Sequence, residues 1–151
     1  MSAGNGHPNA PRHFASIERE LKKLLARPDV QAYMNRKWMT NFKFSIPLTG
    51  GSSIDGLTYY IDPNVAPADR QFVLVHERVE KALRAVMGMT YDRAHELATA
   101  AERLEVEKMK KNWAEYKTRI GKVVRVDEKE AIANLPANYD YGPMRAMGMV
   151  K

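Results

Sequence analysis

The sequence predicts an α+β domain in which a small antiparallel β-hairpin packs against two long helices, with two short helices at the N-terminal side. Three observations support this class. The length of 151 residues is typical of one domain. Two short segments alternate hydrophobic and polar residues, and two longer segments space hydrophobic residues as helices do. We expect a flexible arm over 1–14, a single domain over 15–134 and an extended C-terminal strap over 135–151.

The two short helices are predicted directly after the arm. The first starts at Ser16 and turns one hydrophobic face inward, which consists of Ile17, Leu21, Leu24 and Leu25. Pro28 interrupts it, because proline cannot continue a helix interior. Asp29 then caps a second short helix.

The strands follow in the next part of the chain. Residues 41–48 place Phe42, Phe44 and Ile46 on one face, as a half-buried strand does. The glycine-rich segment 49–53 predicts a loop. Residues 57–61 predict a second strand, and we expect it to pair with the first as an antiparallel hairpin.

The two long helices carry the strongest hydrophobic patterns. Residues 68–87 predict one helix, which ends at Gly88 in the usual C-terminal position. The second runs from Tyr91 to between Tyr116 and Arg119.

The C-terminal part is predicted to be less regular. Residues 123–126 predict a short strand or extended segment, and 127–134 one or two helical turns. From Leu135 onward we expect an extended strap that frays toward its end.

Composition restricts the chemistry available to the protein. The chain has no cysteine, which excludes disulfides, thiolate zinc sites and cysteine nucleophiles. Any metal must therefore be held by histidine and carboxylate side chains. The net charge of +6 is unevenly distributed, since residues 76–107 carry seven acidic and five basic side chains. This acidic segment contains every candidate metal ligand.

The first candidate group lies in the middle of the first long helix. His76 and Glu80 are four residues apart, so they project from one helical face and can grip one metal ion. Glu77 lies 100° further round the helix, where it can act as the base for a metal-activated water.

The second long helix adds further candidates. His95 and Glu102 lie on one face two turns apart, with small residues between them that let the helices approach closely. His95 can therefore converge with His76. Two histidines and one carboxylate bind Zn²⁺, Mn²⁺ or Fe²⁺. We expect Glu102 to support a ligand by hydrogen bonding or to form a salt bridge with a neighbouring arginine, and less often to be a ligand itself. Tyr91 is expected to donate to a developing oxyanion.

A structural interpretation competes with the metal site. In it the motif is a polar helix edge, with Glu80 paired to Arg84 and Glu77 paired to Lys81. His95 would then be a histidine at the core edge, bonded to a carbonyl group.

A strand, an Asp-Pro turn and a helix containing His-Glu-x-x-Glu resemble the zincin-type metallopeptidases over about residues 57–102. The following Tyr91-x-x-Ala-His95 segment is similar to small zincin-like proteins encoded by phages and prophages. The resemblance implies that His76 binds zinc, that Glu77 is the general base and that strand 57–61 aligns a peptide or protein substrate. Glu80 stands where that family has its second histidine.

A non-enzymatic role in a phage particle is the alternative. It would use the basic segment 108–125 and the tails for contacts with phage structural proteins or nucleic acid. Trp113 and Tyr116 are interleaved with its cations and could stack on bases. The cations are Lys108, Lys110, Lys111, Lys117, Arg119, Lys122 and Arg125. A solvated helix end explains the same composition.

Location is predicted from what the sequence lacks. No hydrophobic run approaches the roughly 20 residues of a membrane-spanning helix. The N-terminal segment has no hydrophobic stretch of the signal-peptide type. We expect a soluble cytoplasmic protein without a membrane partner, or one in host cytoplasm or a virion if phage-encoded.

Overall fold

A computed structural model describes residues 13–123 and 127–151 and confirms the α+β class. A three-stranded sheet packs against the first of two long helices. The elements are α1 (Phe14–Leu25), α2 (Pro28–Met34), β1 (Met39–Asn41), β2 (Gly50–Ser52), β3 (Thr58–Ile61), α3 (Arg70–Met87), α4 (Tyr91–Lys108), α5 (Trp113–Gly121), α6 (Glu128–Ala133) and α7 (Gly142–Ala146). No helix in these ranges is both long and apolar enough to cross a membrane.

The helical pair α3 and α4 forms the centre of the molecule. Gly88 ends α3 with φ at 62°, a left-handed conformation that glycine adopts without strain. Thr90 caps α4, where its side chain accepts a hydrogen bond from the Arg93 amide. The interface buries Val79, Leu83, Leu97 and Ala98, and Ile17 and Leu21 of α1 complete this core. Three residues therefore connect two helices that pack directly on each other.

The sheet differs from the predicted hairpin. β3 lies in the centre, with β1 parallel to it on one side and β2 antiparallel on the other. The first strand predicted over 41–48 is wrong beyond Asn41, because the Ile46 amide donates to the Asp62 carboxylate instead of to a neighbouring strand. Ile46 is nevertheless fully buried. The alternation of hydrophobic residues over 41–48 therefore reflects how an irregular segment packs, and not a strand.

The predicted loop over 49–53 contains β2. A side chain at Gly51 would overlap the ring of Tyr139, and one at Gly50 would lie 2.9 Å from atoms of Glu77 and Val73. The glycines therefore let a strand pass close to α3 and to the C-terminal segment. A Gly-Gly-Ser segment has no alternation of hydrophobic and polar residues, so this strand could not be predicted from the sequence pattern.

The second long helix is shorter than predicted. α4 ends at Lys108, and a turn containing Lys110 with φ at 59° redirects the chain. Asn112 then caps α5 by accepting a hydrogen bond from the Glu115 amide at 2.9 Å. The turn brings Tyr116 back into the core against Phe72, with ring centroids 5.2 Å apart.

The C-terminal segment contains a short helix and a backbone hydrogen bond to β2, where an extended strap was predicted. Near Tyr139 it runs beside β2, where the Asp140 amide donates to the Ser52 carbonyl at 2.8 Å. α7 follows, and its Met144 is fully buried. Helix α6 lies within the predicted turns over 127–134. Residues 1–12 of the predicted arm and 124–126 of the predicted strand lie outside the described ranges.

Candidate metal centre

Three candidate ligands meet where α3 packs on α4. Glu80 Oε2 lies 3.1 Å from His76 Nε2 and 3.5 Å from His95 Nδ1. One donor atom from each of the three side chains lies within 4.8 Å of the others. The i, i+4 spacing on α3 and the short link to α4 therefore produce the convergence expected from the sequence.

The separations agree with the demands of a small metal ion. Bonds of about 2.0–2.2 Å in a tetrahedral site place neighbouring donors about 3.3–3.6 Å apart. The two distances to Glu80 Oε2, 3.1 and 3.5 Å, lie close to that range. The three donor atoms together lie within 4.8 Å of one another, so the remaining pair can lie further apart than in an occupied site. The group can thus hold a metal ion through two nitrogens and one oxygen.

Glu102 and Tyr116 orient the first of these histidines. His76 Nδ1 lies 2.9 Å from Glu102 Oε1, while the Tyr116 hydroxyl donates to Glu102 Oε2 at 2.6 Å. With its Nδ1 proton held by the carboxylate, His76 presents Nε2 to Glu80. Carboxylates commonly fix metal-binding histidines in this way. The predicted supporting role of Glu102 is compatible with this geometry.

Tyr116 was missed as part of the site by sequence reasoning. One uninterrupted helix over fourteen residues would place it about 21 Å from Glu102 along the axis. Only the turn after α4 brings the two side chains together. The sequence signal for this break is the run of polar residues before Trp113, in which Asn112 is of a type that commonly caps a helix.

The structural interpretation predicted two ion pairs that do not form. Lys81 and Arg84 both bind the Asp140 carboxylate instead, at 2.9 and 3.0 Å. Within the described ranges, no lysine or arginine forms an ion pair with Glu77, Glu80 or Glu102. His95 also differs from that interpretation, because Glu80 and the Tyr91 hydroxyl approach its Nδ1 and its side chain is half exposed.

Glu77 faces the same space as the three candidate ligands. A small cavity of about 30 Å³ is lined by Glu77, His76, Glu80, His95, Tyr91, Gly50, Leu48 and Pro143. This is room for about one water molecule or ion. Glu77 is only 9% exposed, and its carboxylate has no hydrogen bond within the described part of the chain. Among the described residues it is a mostly buried carboxylate that forms no hydrogen bond or ion pair, although its oxygens are not among the fully buried atoms that lack a partner.

The carboxylates of the site differ in their pKa values. Burial, followed by the charge of Glu80, raises the pKa of Glu77 to about 8. Burial also acts on Glu80, but hydrogen bonds with His76 and His95 outweigh it and lower the Glu80 pKa to about 2. The site thus holds one carboxyl group that readily carries a proton beside one that stays ionised.

His76 has a pKa well above its ordinary value. Burial opposes the charged ring, but the hydrogen bonds to Glu102 and Glu80 outweigh that effect. The imidazole therefore carries a proton when no cation is bound. Because a histidine ligand must be neutral, metal binding here is coupled to release of that proton.

Tyr91 is positioned at the edge of the cavity. Its hydroxyl lies 3.3 Å from His95 Nδ1. Burial, together with the charge of Glu80, raises its pKa above the ordinary value, so the hydroxyl remains a donor. If His95 Nδ1 held a metal, this donor would be available to another acceptor in the cavity.

The strand expected to align a peptide is in the wrong place. Residues 57–61 contain β3, whose two edges are already paired with β1 and β2. The edge strands of the sheet are β1 and β2. The outer edge of β2 is covered near Ser53, which bridges to Tyr139, so a strand added at that edge would first have to displace the C-terminal segment.

The basic segment does not form one face with its aromatic residues. Arg119 is paired with Asp69 at 3.0 Å, and Tyr116 is fully buried, so it cannot stack on a base. The remaining described cations lie at the end of α4, in the turn, on α5 and directly after α5; these are Lys108, Lys110, Lys111, Lys117 and Lys122. Arg125 lies outside the described ranges. Contact of this segment with nucleic acid remains a prediction, but stacking of Tyr116 on a base is no longer part of it.

No protein-family model, curated protein or solved structure matches this chain.

Proposed function

We propose that this protein is a metal-dependent hydrolase of the zincin type that cleaves a peptide or protein substrate. His76, Glu80 and His95 hold one zinc ion in this proposal. The observation that carries it is the mostly buried carboxylate of Glu77, which forms no ion pair or hydrogen bond within the described part of the chain and lines the same cavity as the three donors. A purely structural ion network would not need such a group.

Zinc is the preferred metal because two histidines and one carboxylate form a ligand set of known catalytic zinc sites, with the fourth position open. The two donor separations measured to Glu80 Oε2, 3.1 and 3.5 Å, are close to those of tetrahedral coordination.

Each side chain has a separate task in the proposed reaction. A bound zinc ion supplies Lewis acidity, which makes water nucleophilic at neutral pH and polarises the substrate carbonyl. The charge of a bound cation would lower the pKa of Glu77, and in its ionised form Glu77 would take the proton of the attacking water and pass it to the departing amine. Tyr91 donates to the oxygen on which negative charge develops. Glu102 keeps the ring of His76 oriented.

Metal content and turnover together test this function. The protein, purified without a histidine tag, should contain about one zinc per chain, and His76→Ala or His95→Ala should reduce that content severalfold. His13→Ala is the matched control, because His13 is exposed at the start of α1. Glu77→Gln should retain zinc while slowing peptide hydrolysis about 10²–10⁴-fold.

Two results would contradict the proposal. Metal content below stoichiometry and unchanged by His76→Ala would remove the metal centre. Hydrolysis by Glu77→Gln at the unmodified rate would remove the assigned base. A metal-free, inactive protein would instead fit the non-enzymatic structural role.

A further inference from the structure

A larger groove opens beside the metal centre. Its volume is about 380 Å³, within the range of pockets that bind small molecules and side chains. His95 lines both this groove and the small cavity at the metal centre. The side chain of His95 is 49% exposed, so the metal centre is reached from this side.

The groove follows one face of α4. His95, Thr99 and Arg103 line it at successive turns of the helix. Eight residues of helix span about 12 Å. An extended peptide of three to four residues covers the same distance. A substrate bound at His95 and lying along α4 therefore reaches Arg103 three to four residues from the bond to be cleaved.

The floor and walls of the groove are largely hydrophobic. Ile17 and Ala100 lie on the α1 and α4 sides, and the rings of Phe14 and Trp113 face the same space. Aromatic walls of this kind favour an aliphatic or aromatic side chain, which gains from burial there.

The charges of the groove are arranged along its length. Glu96 is adjacent to His95, whereas Arg103 and Lys117 are at the distant end. The Arg103 guanidinium lies 4.2 Å from the Phe14 ring centroid, and Lys117 Nζ lies 5.7 Å from that of Trp113. Arg103 also contacts Glu107 at 3.3 Å, an exposed pair of low strength that a ligand carboxylate can replace. The distant end is therefore suited to an anion.

We propose that this groove binds the part of the substrate next to the scissile bond, as a peptide segment with a hydrophobic side chain followed by a carboxylate. The hydrophobic side chain packs between Phe14 and Trp113, and the carboxylate meets Arg103 and Lys117. The inference rests on the proposed function, since it takes the bond cleaved at the metal centre as its starting point. The carboxylate belongs either to an acidic side chain or to the peptide C-terminus.

Fluorescence of Trp113 measures this binding directly. Trp38→Phe removes the other tryptophan, and Glu77→Gln on the same chain prevents turnover during titration. The probes are synthetic hexapeptides containing Phe and Glu, the same peptides with Gln for Glu, and both with an acid or amide C-terminus. We expect the acidic peptides to bind at least tenfold more tightly than uncharged ones. If amidation of the peptide C-terminus removes the tighter binding, the carboxylate that the groove recognises is the C-terminal one. If the tighter binding remains after amidation, the recognised carboxylate is that of the Glu side chain.

Variants of the groove provide the second arm of the test. Arg103→Gln combined with Lys117→Gln should weaken binding of acidic peptides about tenfold or more. Lys122→Gln should not, because this exposed lysine of the same region lies outside the groove. Thr99→Phe should fill the groove and abolish binding while zinc content stays unchanged.

The outcomes separate the two proposals. Equal affinity for acidic and uncharged peptides, or binding undiminished in Thr99→Phe, overturns the groove assignment. Hydrolysis that the groove variants leave unchanged overturns it too, but leaves the hydrolase proposal intact. Selective peptide binding by a protein without hydrolytic activity supports the groove and contradicts only the hydrolase.

Discussion

The Glu102 carboxylate takes part in two short hydrogen bonds, one with His76 Nδ1 and one from the Tyr116 hydroxyl. Burial and the Glu102 charge raise the pKa of Tyr116, so its hydroxyl stays protonated and can only donate to this acceptor. Tyr116 thereby fixes the carboxylate, and the carboxylate fixes the imidazole. Tyr116 is a positioning residue, because it touches neither the cavity nor the proposed metal.

Removing the Tyr116 hydroxyl should weaken the metal centre without removing a ligand. Tyr116→Phe leaves Glu102 with one hydrogen-bond partner fewer, so His76 loses part of its orientation. We expect the zinc affinity to fall about tenfold. We also expect the free energy of unfolding to fall by about 1–3 kcal/mol. Competitive titration with a chelator and denaturant unfolding measure the two effects.

Tyr141→Phe is the matched control for that variant. The Tyr141 hydroxyl makes no hydrogen bond within the described ranges, so its loss should change neither quantity. Equal zinc affinity in the Tyr116→Phe and unmodified proteins would show that Glu102 needs no support. A loss of stability without loss of affinity would show that Tyr116 serves only the core.

At the scale of elements, β2 decides how closely the sheet approaches α3. Gly50 belongs to a strand paired with Ile61, and Glu77 lies directly across from it on the helix. The absence of a side chain at Gly50 leaves the Glu77 carboxylate room to face the cavity. The backbone of β2 at Gly50 thus lies beside Glu77, the proposed base, without a side chain that would displace its carboxylate.

Gly50→Ala should therefore damage catalysis more than metal binding. The new methyl group would lie 2.9 Å from Glu77 Oε2, Glu77 Cγ and Val73 Cγ1, and ladder hydrogen bonds resist a shift of the strand. We expect at least a tenfold loss of turnover, unchanged zinc content and a stability loss of about 1–3 kcal/mol. Turnover, metal analysis and unfolding would be measured on one preparation.

Gly121→Ala provides the corresponding control at an open position. Nothing lies within 4 Å of a side chain placed there, and the residue ends a helix. Its turnover should equal that of the unmodified protein. Full activity in Gly50→Ala would show that Glu77 tolerates displacement and would weaken its assignment as the base.

The elements also show which features local sequence could predict. The bounds of α3 and the start of α4 depend on hydrophobic spacing, Gly88 and Thr90, all of which act within one or two turns. His76, Glu80 and His95 could be predicted as a group because helical spacing and the short link between α3 and α4 are also local features. β2 has no pattern of its own, and the break after α4 depends on burying Tyr116. The roles of Gly50 and Tyr116 depend on contacts with residues far away in the sequence, so local sequence patterns do not predict them.

At the scale of the whole molecule, Asp140 ties the C-terminal segment to α3. Its carboxylate binds both Lys81 and Arg84 and also accepts a hydrogen bond from the Gly142 amide. Burial alone would raise the pKa of Asp140, but these partners outweigh it and lower the pKa below its usual value. The native protein therefore holds this carboxylate in its charged form more strongly than the unfolded chain does.

The sign of the resulting pH dependence follows from linkage. A lowered native pKa contributes stability that is complete above the unfolded value of about 3.9 and is lost as the pH falls through the native value. Asp140→Asn should cost about 3 kcal/mol at pH 7, because it leaves Lys81 buried without its counter-charge. The difference from the unmodified protein should shrink below about pH 4, as denaturant unfolding at several pH values would show.

Asp92→Asn is a control for that series, since Asp92 is exposed near the start of α4. Its effect on the free energy of unfolding should stay within about 0.5 kcal/mol at pH 7. A difference between Asp140→Asn and the unmodified protein that persists undiminished to pH 2 would mean that the ion pairs do not control this segment.

The three-residue link between α3 and α4 has a consequence for how the molecule assembles. Only fourteen residues lie between Glu80 and His95, so closing the chain between them costs little loop entropy. The ligand geometry can form as soon as this helical hairpin folds. Pro143, which covers one side of the cavity, arrives from the far end of the chain. We therefore expect the helical hairpin to bring the ligands together before the segment that contains Pro143 covers the cavity.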